Sequence, residues 1–160
     1  MLAAFGEDIG TMMALVDRAL ALNPSSARGW YISAVLRLQV GQADAAIEHA
    51  ETSLRLSPRA QFGAPLYVIG TALFCCSRYE EAVPKLLLAI QDLPSFAISF
   101  RILAACYAQM GRLHEAQEVV ARLRAITPLV MPDPRIKYLR NPDHLALLLS
   151  GLRLAAGEAD

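Results

Sequence analysis

Residues 27–58 read ARGWYISAVLRLQVGQADAAIEHAETSLRLSP, and this stretch decides the fold. Two amphipathic helical segments flank the turn Gly41-Gln42. Trp30 opens the first, Ala46 sits early in the second, and Pro58 closes the unit. Apolar residues at helical spacing mark one buried stripe per segment. A proline ends the unit because it has no N–H to donate to a continuing ladder. The plan then recurs along the chain. Pro24, Pro58, Pro94 and Pro128 are separated by 34, 36 and 34 residues. Ala46, Ala82 and Ala116 keep that beat, as do Trp30, Leu66 and Phe100, and the turn residues Gly41, Ser77 and Gly111. The two extra residues fall within 59–65, between units, where an insertion leaves helix packing intact.

A period of this length marks stacked helical hairpins, none able to bury its apolar face alone. The first full unit supplies Trp30, Ser33-Ala34, Arg37, Ala46, Ala50 and Pro58. The second supplies Leu66, Ile69-Gly70, Leu73, Ala82, Leu86 and Pro94. The third supplies Phe100, Leu103-Ala104, Tyr107, Ala116, Val120 and Pro128. This pattern resembles the tetratricopeptide repeat, TPR, whose signature is W-x2-L-G-x2-Y, then A-x3-F, then P. Small Ala34, Gly70 and Ala104 let paired helices approach, and the three beat alanines do so from the other side. Ser33 and Arg37 depart from the apolar pattern, so the first full repeat is expected to be looser or to face something else.

The resemblance implies an all-α solenoid, a right-handed superhelix of antiparallel helix pairs. Its expected parts are a partial repeat at 1–24, repeats at 27–60, 63–96 and 97–130, and a C-terminal capping helix at 141–156. Residues 11–24 match a second helix whose partner would precede Met1, so the chain reads as part of a longer protein. The bare half repeat predicts a concentration-dependent homodimer. Pro84, early in the second helix of the middle repeat, predicts a modest kink. Asn141-Pro142-Asp143 is a helix-start signal, and Gly157 follows the last leucine stripe.

Composition narrows the function. Fifteen basic and fifteen acidic residues give no net charge, which argues against nucleic acid and anionic membrane as partners. The uncharged run 60–77 is interrupted by Gln61, Gly63, Pro65, Gly70 and Thr71 and falls in register with the repeat, so it reads as a buried helix and not a span. Cys75, Cys76 and Cys106 lack metal or redox spacing and read as small buried side chains in a reducing, cytoplasmic setting. His49, His114 and His144 have no ligand spacing, and there is no phosphate loop or nucleophile elbow, so no cofactor, metal or catalytic residue is expected. Glu80-Glu81 point about 100° apart on a helix and favour its positive start.

The tail carries a second resemblance. Arg140-Asn-Pro-Asp-His-Leu145 and Ser150-Gly-Leu-Arg-Leu-Ala-Ala-Gly157 are similar to the ending of bacterial class III adenylate/guanylate cyclases that carry a TPR array after the catalytic domain. Leu56-Ser-Pro-Arg59, Arg78-Tyr-Glu-Glu-Ala82 and Gly111-Arg-Leu-His-Glu-Ala116 fit the same group. That resemblance implies a regulatory or docking module of a signalling chain. A TPR scaffold of a winged-helix transcription regulator, or a stand-alone adaptor, is the alternative.

In stacked hairpins the first helix of each pair lines the inner surface. Projection onto it gives Arg28, Tyr31, Val35, Leu38 and Gln39, then Ala64, Tyr67, Thr71, Phe74 and Cys75, then Ile98, Arg101, Ala105, Ala108 and Gln109. Tyr31, Val35, Val68, Ile98 and Ile102 stand where carboxylate-gripping TPRs carry Lys, Asn and Arg. The groove is therefore expected to take an apolar segment of a protein or peptide, anchored on Tyr31, Tyr67 and Phe74. Filling by other segments of the protein or by a second copy is the competing expectation. On the first of these, Tyr67→Ala and Phe74→Ala weaken partner binding and spare helix content.

Overall fold

The computed structural model describes residues 8–59, 62–135 and 138–158. They form α1 (Ile9–Leu22), α2 (Ala27–Gln39), α3 (Ala43–Leu56), α4 (Gly63–Cys75), α5 (Tyr79–Asp92), α6 (Ala97–Gln109), α7 (Leu113–Ile126) and α8 (Pro142–Ala156). The architecture is all-α, of the TPR solenoid type. α2 pairs with α3, α4 with α5 and α6 with α7, while α3 meets α4 and α5 meets α6 between pairs.

The turns inside the pairs explain part of the beat. Gly41, Ser77 and Gly111 adopt positive φ angles of 88°, 59° and 74°. Two of the three are glycine, which enters that left-handed region without a Cβ penalty. Close approach explains another part. Ala34, Ala46, Ala82, Ala104 and Ala116 are fully buried. A Cβ on Gly70 would stand 2.7 Å from Leu86 Cγ, so α4 and α5 cross there at a distance only glycine permits.

The departures at Ser33 and Arg37 do not loosen the first repeat. Ser33 is fully buried, and its Oγ accepts from the Arg37 guanidinium. The same Oγ lies 3.0 Å from His49 Nδ1 on α3. Arg37 Nη2 donates to both carboxylate oxygens of Asp17 on α1, at 2.9 and 3.1 Å. The His49 ring meets the Trp30 ring edge-on at 4.8 Å between centroids. A polar network thus ties α1, α2 and α3 where the other repeats use apolar contact. His49 is held below its ordinary pKa, first by burial and then by the Arg37 charge.

α5 continues through Pro84 to Asp92. Its start, like that of α7, carries an ion pair one turn apart: Arg78 to Glu81, and Arg112 to Glu115, each with a 2.7 Å contact. Glu81 therefore serves a local pair as well as the helix dipole. α8 begins as the sequence predicts. Asn141 Oδ1 accepts from the amides of Asp143 and His144, Pro142 stands in the first turn, and Gly157 closes the helix at φ 76°. Of the cysteines, Cys106 is buried and Cys75 half-buried, but Cys76 is exposed at the end of α4, contrary to the reading that buries all three. Burial pushes the Cys75 and Cys106 thiols up to about 12. No helix among the described residues is long and apolar enough to cross a membrane.

Candidate functional site

The candidate groove residues lie on α2, α4 and α6, but they do not share one environment. Arg28 is exposed, and Tyr31, Val35, Ala64 and Gln109 are half-buried. Leu38, Tyr67, Thr71, Phe74, Ile98, Arg101 and Ala105 are buried. Phe74, Thr71 and Ala105 have no exposure at all. The expectation of an open apolar trough along the whole inner surface therefore needs correction toward the last repeat.

Over α6 the cover is the chain's own tail. After α7, residues 127–135 and 138–141 lie along the inner face and return to the first repeat. Arg101, on the first half of α6, donates from Nε to the Val130 carbonyl and from Nη2 to the Leu129 carbonyl, both at 2.8 Å. Burial lowers the Arg101 pKa, and Tyr138 partly offsets that. Tyr138 also stands near Tyr67, whose hydroxyl is pushed well above its ordinary range, first by burial. Leu139 joins the core at 3% exposure. The Arg140 amide donates to the Gln39 carbonyl at the end of α2, at 2.8 Å. Asn141 then packs on the turn after α2, where its Nδ2 would stand 2.8 Å from a Cβ on Gly41.

From that edge α8 runs back along α6. Gln109 Nε2 lies 3.5 Å from the Leu147 carbonyl, and Gly151 faces Ala105 so closely that a Cβ would come within 2.8 Å of the alanine Cβ. Higher numbers on α8 meet lower numbers on α6, so the two helices are antiparallel. The buried residues Leu148, Gly151, Leu152 and Ala155 repeat at three and four and form the face turned inward. α8 packs more extensively on α6 than on α7. The C-terminal helix thus covers the last repeat from the inner side. Between the two arms of the tail is a cavity of about 400 Å³ bordered by Pro132, Tyr138, Leu139, Arg140, Leu145 and Leu149.

Two anchors of the expected groove serve the core. Phe74 lies within 5.7 Å of the Tyr79 ring, and Tyr67 meets the Phe96 ring edge-on at 5.2 Å. Tyr31 is the anchor that keeps accessible surface. Sequence reasoning missed His49 and Asp17 as partners of Ser33 and Arg37, and missed Leu129, Val130 and Tyr138 as occupants of the inner face. One signal was present for each. Polar residues stood at two apolar slots of one repeat, and an arginine was projected onto an otherwise apolar surface.

The paired helices and their inner face define a TPR-type helical-repeat fold. No family model matches the chain. Over 109 residues, 68% of its length, it is 32% identical to the small glutamine-rich tetratricopeptide repeat-containing protein 2 of Mycosarcoma maydis. The match spans 30% of that relative's length. Among solved structures, MamA superposes with a TM-score of 0.67 at 17% identity, over 94% of this chain and 88% of that one. YrrB, a TPR protein with an unusual peptide-binding site, superposes with a TM-score of 0.62 at 20% identity, over 92% and 78%. At these identities the structural likeness establishes the fold.

Proposed function

We propose that the protein is a protein-interaction module whose inner helical face receives a polypeptide segment. One observation carries this reading: the face already holds one. Arg101 is bonded to two consecutive main-chain carbonyls of a non-helical stretch, and Ala105 and Gln109 meet a helix. Main-chain capture beside apolar pockets is a general mode of peptide recognition. The peptide-binding site of YrrB, on a similar fold, supports the same reading. The array is taken as one domain, with repeats at 27–60, 63–96 and 97–130. The accessible part of the face, Arg28, Tyr31, Val35 and Ala64, is the entry point for a partner.

A photo-crosslinking residue tests this reading. Placed at Tyr31, it should give polypeptide adducts in a lysate, while the same group at exposed Leu87 on α5 should give none. Equal labelling at both positions would refute it. The finer placement, as the docking module of a cyclase-type signalling chain, is supported by the 140–145 and 150–157 stretches alone, and the relatives above add nothing to it.

Self-association is the second reading, favoured by one observation. Leu15 and Leu22 on α1 are 62% and 81% exposed, a large apolar exposure on one short helix. Sedimentation should show a dimer that grows with concentration and is lost in Leu15→Glu. A monomer at high concentration removes this reading.

A further inference from the structure

We propose that residues 128–135 and 138–156 are a displaceable, self-supplied ligand of the inner face, and that the partner is an amphipathic helix that takes the seat of α8. This rests on the proposed interaction role and names the kind of partner. The seat specifies the chemistry. On α8 the inward residues are Leu148, Gly151, Leu152 and Ala155. The incoming helix therefore carries two leucine-like residues and two small ones at that spacing, with a small residue against Ala105. It is preceded by a non-helical stretch whose carbonyls satisfy Arg101.

Three observations separate this tail from an ordinary core element. The array holds it through bonds any polypeptide can reproduce: Arg101 to two carbonyls, and the Gln39 carbonyl to one amide. Its re-entry point is poorly satisfied. Gln39 Oε1, Arg140 Nε and His144 Nδ1 are buried there without partners among the described residues. Buried polar groups left unpaired oppose the closed state. Its inward face is half small residues, so it fills the seat with less apolar area than a leucine stripe would. Against this, a tethered segment enjoys an effective concentration of about 1 mM or more. A free helix at micromolar concentration therefore competes poorly until the tail is weakened, which makes the tail a gate on partner access.

Two measurements on the full chain test this. Native-state hydrogen exchange of the unmodified protein should show the amides of α8 exchanging through an opening that leaves α4 and α6 protected. Exchange of α8 only together with α4 and α6 overturns the proposal. The second measurement uses Gly151→Leu, since even a Cβ there would meet Ala105 backbone at 3.0 Å. A fluorescent peptide of residues 141–157 should bind Gly151→Leu at least tenfold more tightly than the unmodified chain. Adding Ala105→Phe should abolish that gain. A folded Gly151→Leu chain that binds the peptide no better overturns the proposal. If that variant does not fold, the exchange result decides alone. A partner crosslinked through Tyr31 with α8 protection unchanged upholds the interaction role and refutes the gate.

Discussion

The inner surfaces of α6 and α2 occupy equivalent places in the array and have opposite fates. On α6, every residue from Ile98 to Ala108 is buried. On α2, Arg28 is exposed and Tyr31 and Val35 are half-buried. The helices do not differ in periodicity or repeat slot. They differ in what lies over them: the tail meets α6 twice, once as irregular chain at Leu129 and Val130 and once as α8, and touches α2 at its last turn. A repeat array has no intrinsic distinction between groove and core. Exposure of a slot is set by whether another segment of the chain reaches it.

The largest expected effect follows from that contrast. Phe74→Ala, at a fully buried site, should destabilise the protein by about 3–5 kcal/mol. Tyr31→Ala, half-buried on α2, should cost about 1–2 kcal/mol, since less area is lost. Urea titrations of both variants measure the gap. Equal costs would mean that the inner side of α2 is as covered as that of α4, and the contrast between a buried and an open slot would fail. The earlier expectation that Phe74→Ala spares the fold is thereby replaced: it is a core substitution.

The next prediction sharpens the contrast at the first repeat, which is closed by polar bonds. Asp17→Ala removes the carboxylate that receives both bonds from Arg37 Nη2. Asp17 is about half exposed and Arg37 nearly buried, so solvent screens the pair from one side. The expected loss is about 1 kcal/mol, felt as faster exchange of α1 amides and not of α8. Uniform loss across the array would show that α1 is not an independent edge.

The helices, their pairing and the start of α8 were legible because each depends on neighbours in sequence. The 34-residue beat follows from helix length and turn geometry, and the start of α8 from Asn141-Pro142. The seat of α8 was not legible. A leucine stripe requires an apolar partner but does not say which face supplies it, and two were available: the end of the stack and the inner surface. Gly151 and Ala155 held the available signal, since small residues four apart permit the approach to Ala105 that the structure shows. Arg101 held another, because an arginine on an apolar inner face demands acceptors. The polar cluster was opaque for a different reason: Asp17, Ser33 and His49 are joined by folding across three helices, at separations no local pattern encodes.

Acid should act on the first repeat before the last. His49 is depressed in the folded protein, so the unfolded chain binds its proton more readily. Stability is therefore present above the ordinary histidine value of 6.5 and falls as pH drops below it toward the folded value. The depressed carboxylates Glu81 and Glu115 start from 4.5, so their losses come lower. Denaturation followed between pH 7 and about 5 isolates the histidine. His49→Gln should flatten the slope there. An unchanged slope would remove His49 from the network's energetics.

The smallest expected effect on stability is also the most discriminating about function. Arg28, which helical projection puts on the inner side of α2, is exposed and makes no side-chain bond among the described residues. Its replacement by alanine should shift stability by no more than about 0.5 kcal/mol. A partner that enters over the uncovered end of the array passes Arg28 first, so Arg28→Ala should reduce crosslinking at Tyr31. Adduct formation unchanged in a fully stable Arg28→Ala chain would mean that a partner does not approach over α2. The exposed inner face of the first repeat would then be merely the part that residues 138–158 leave uncovered.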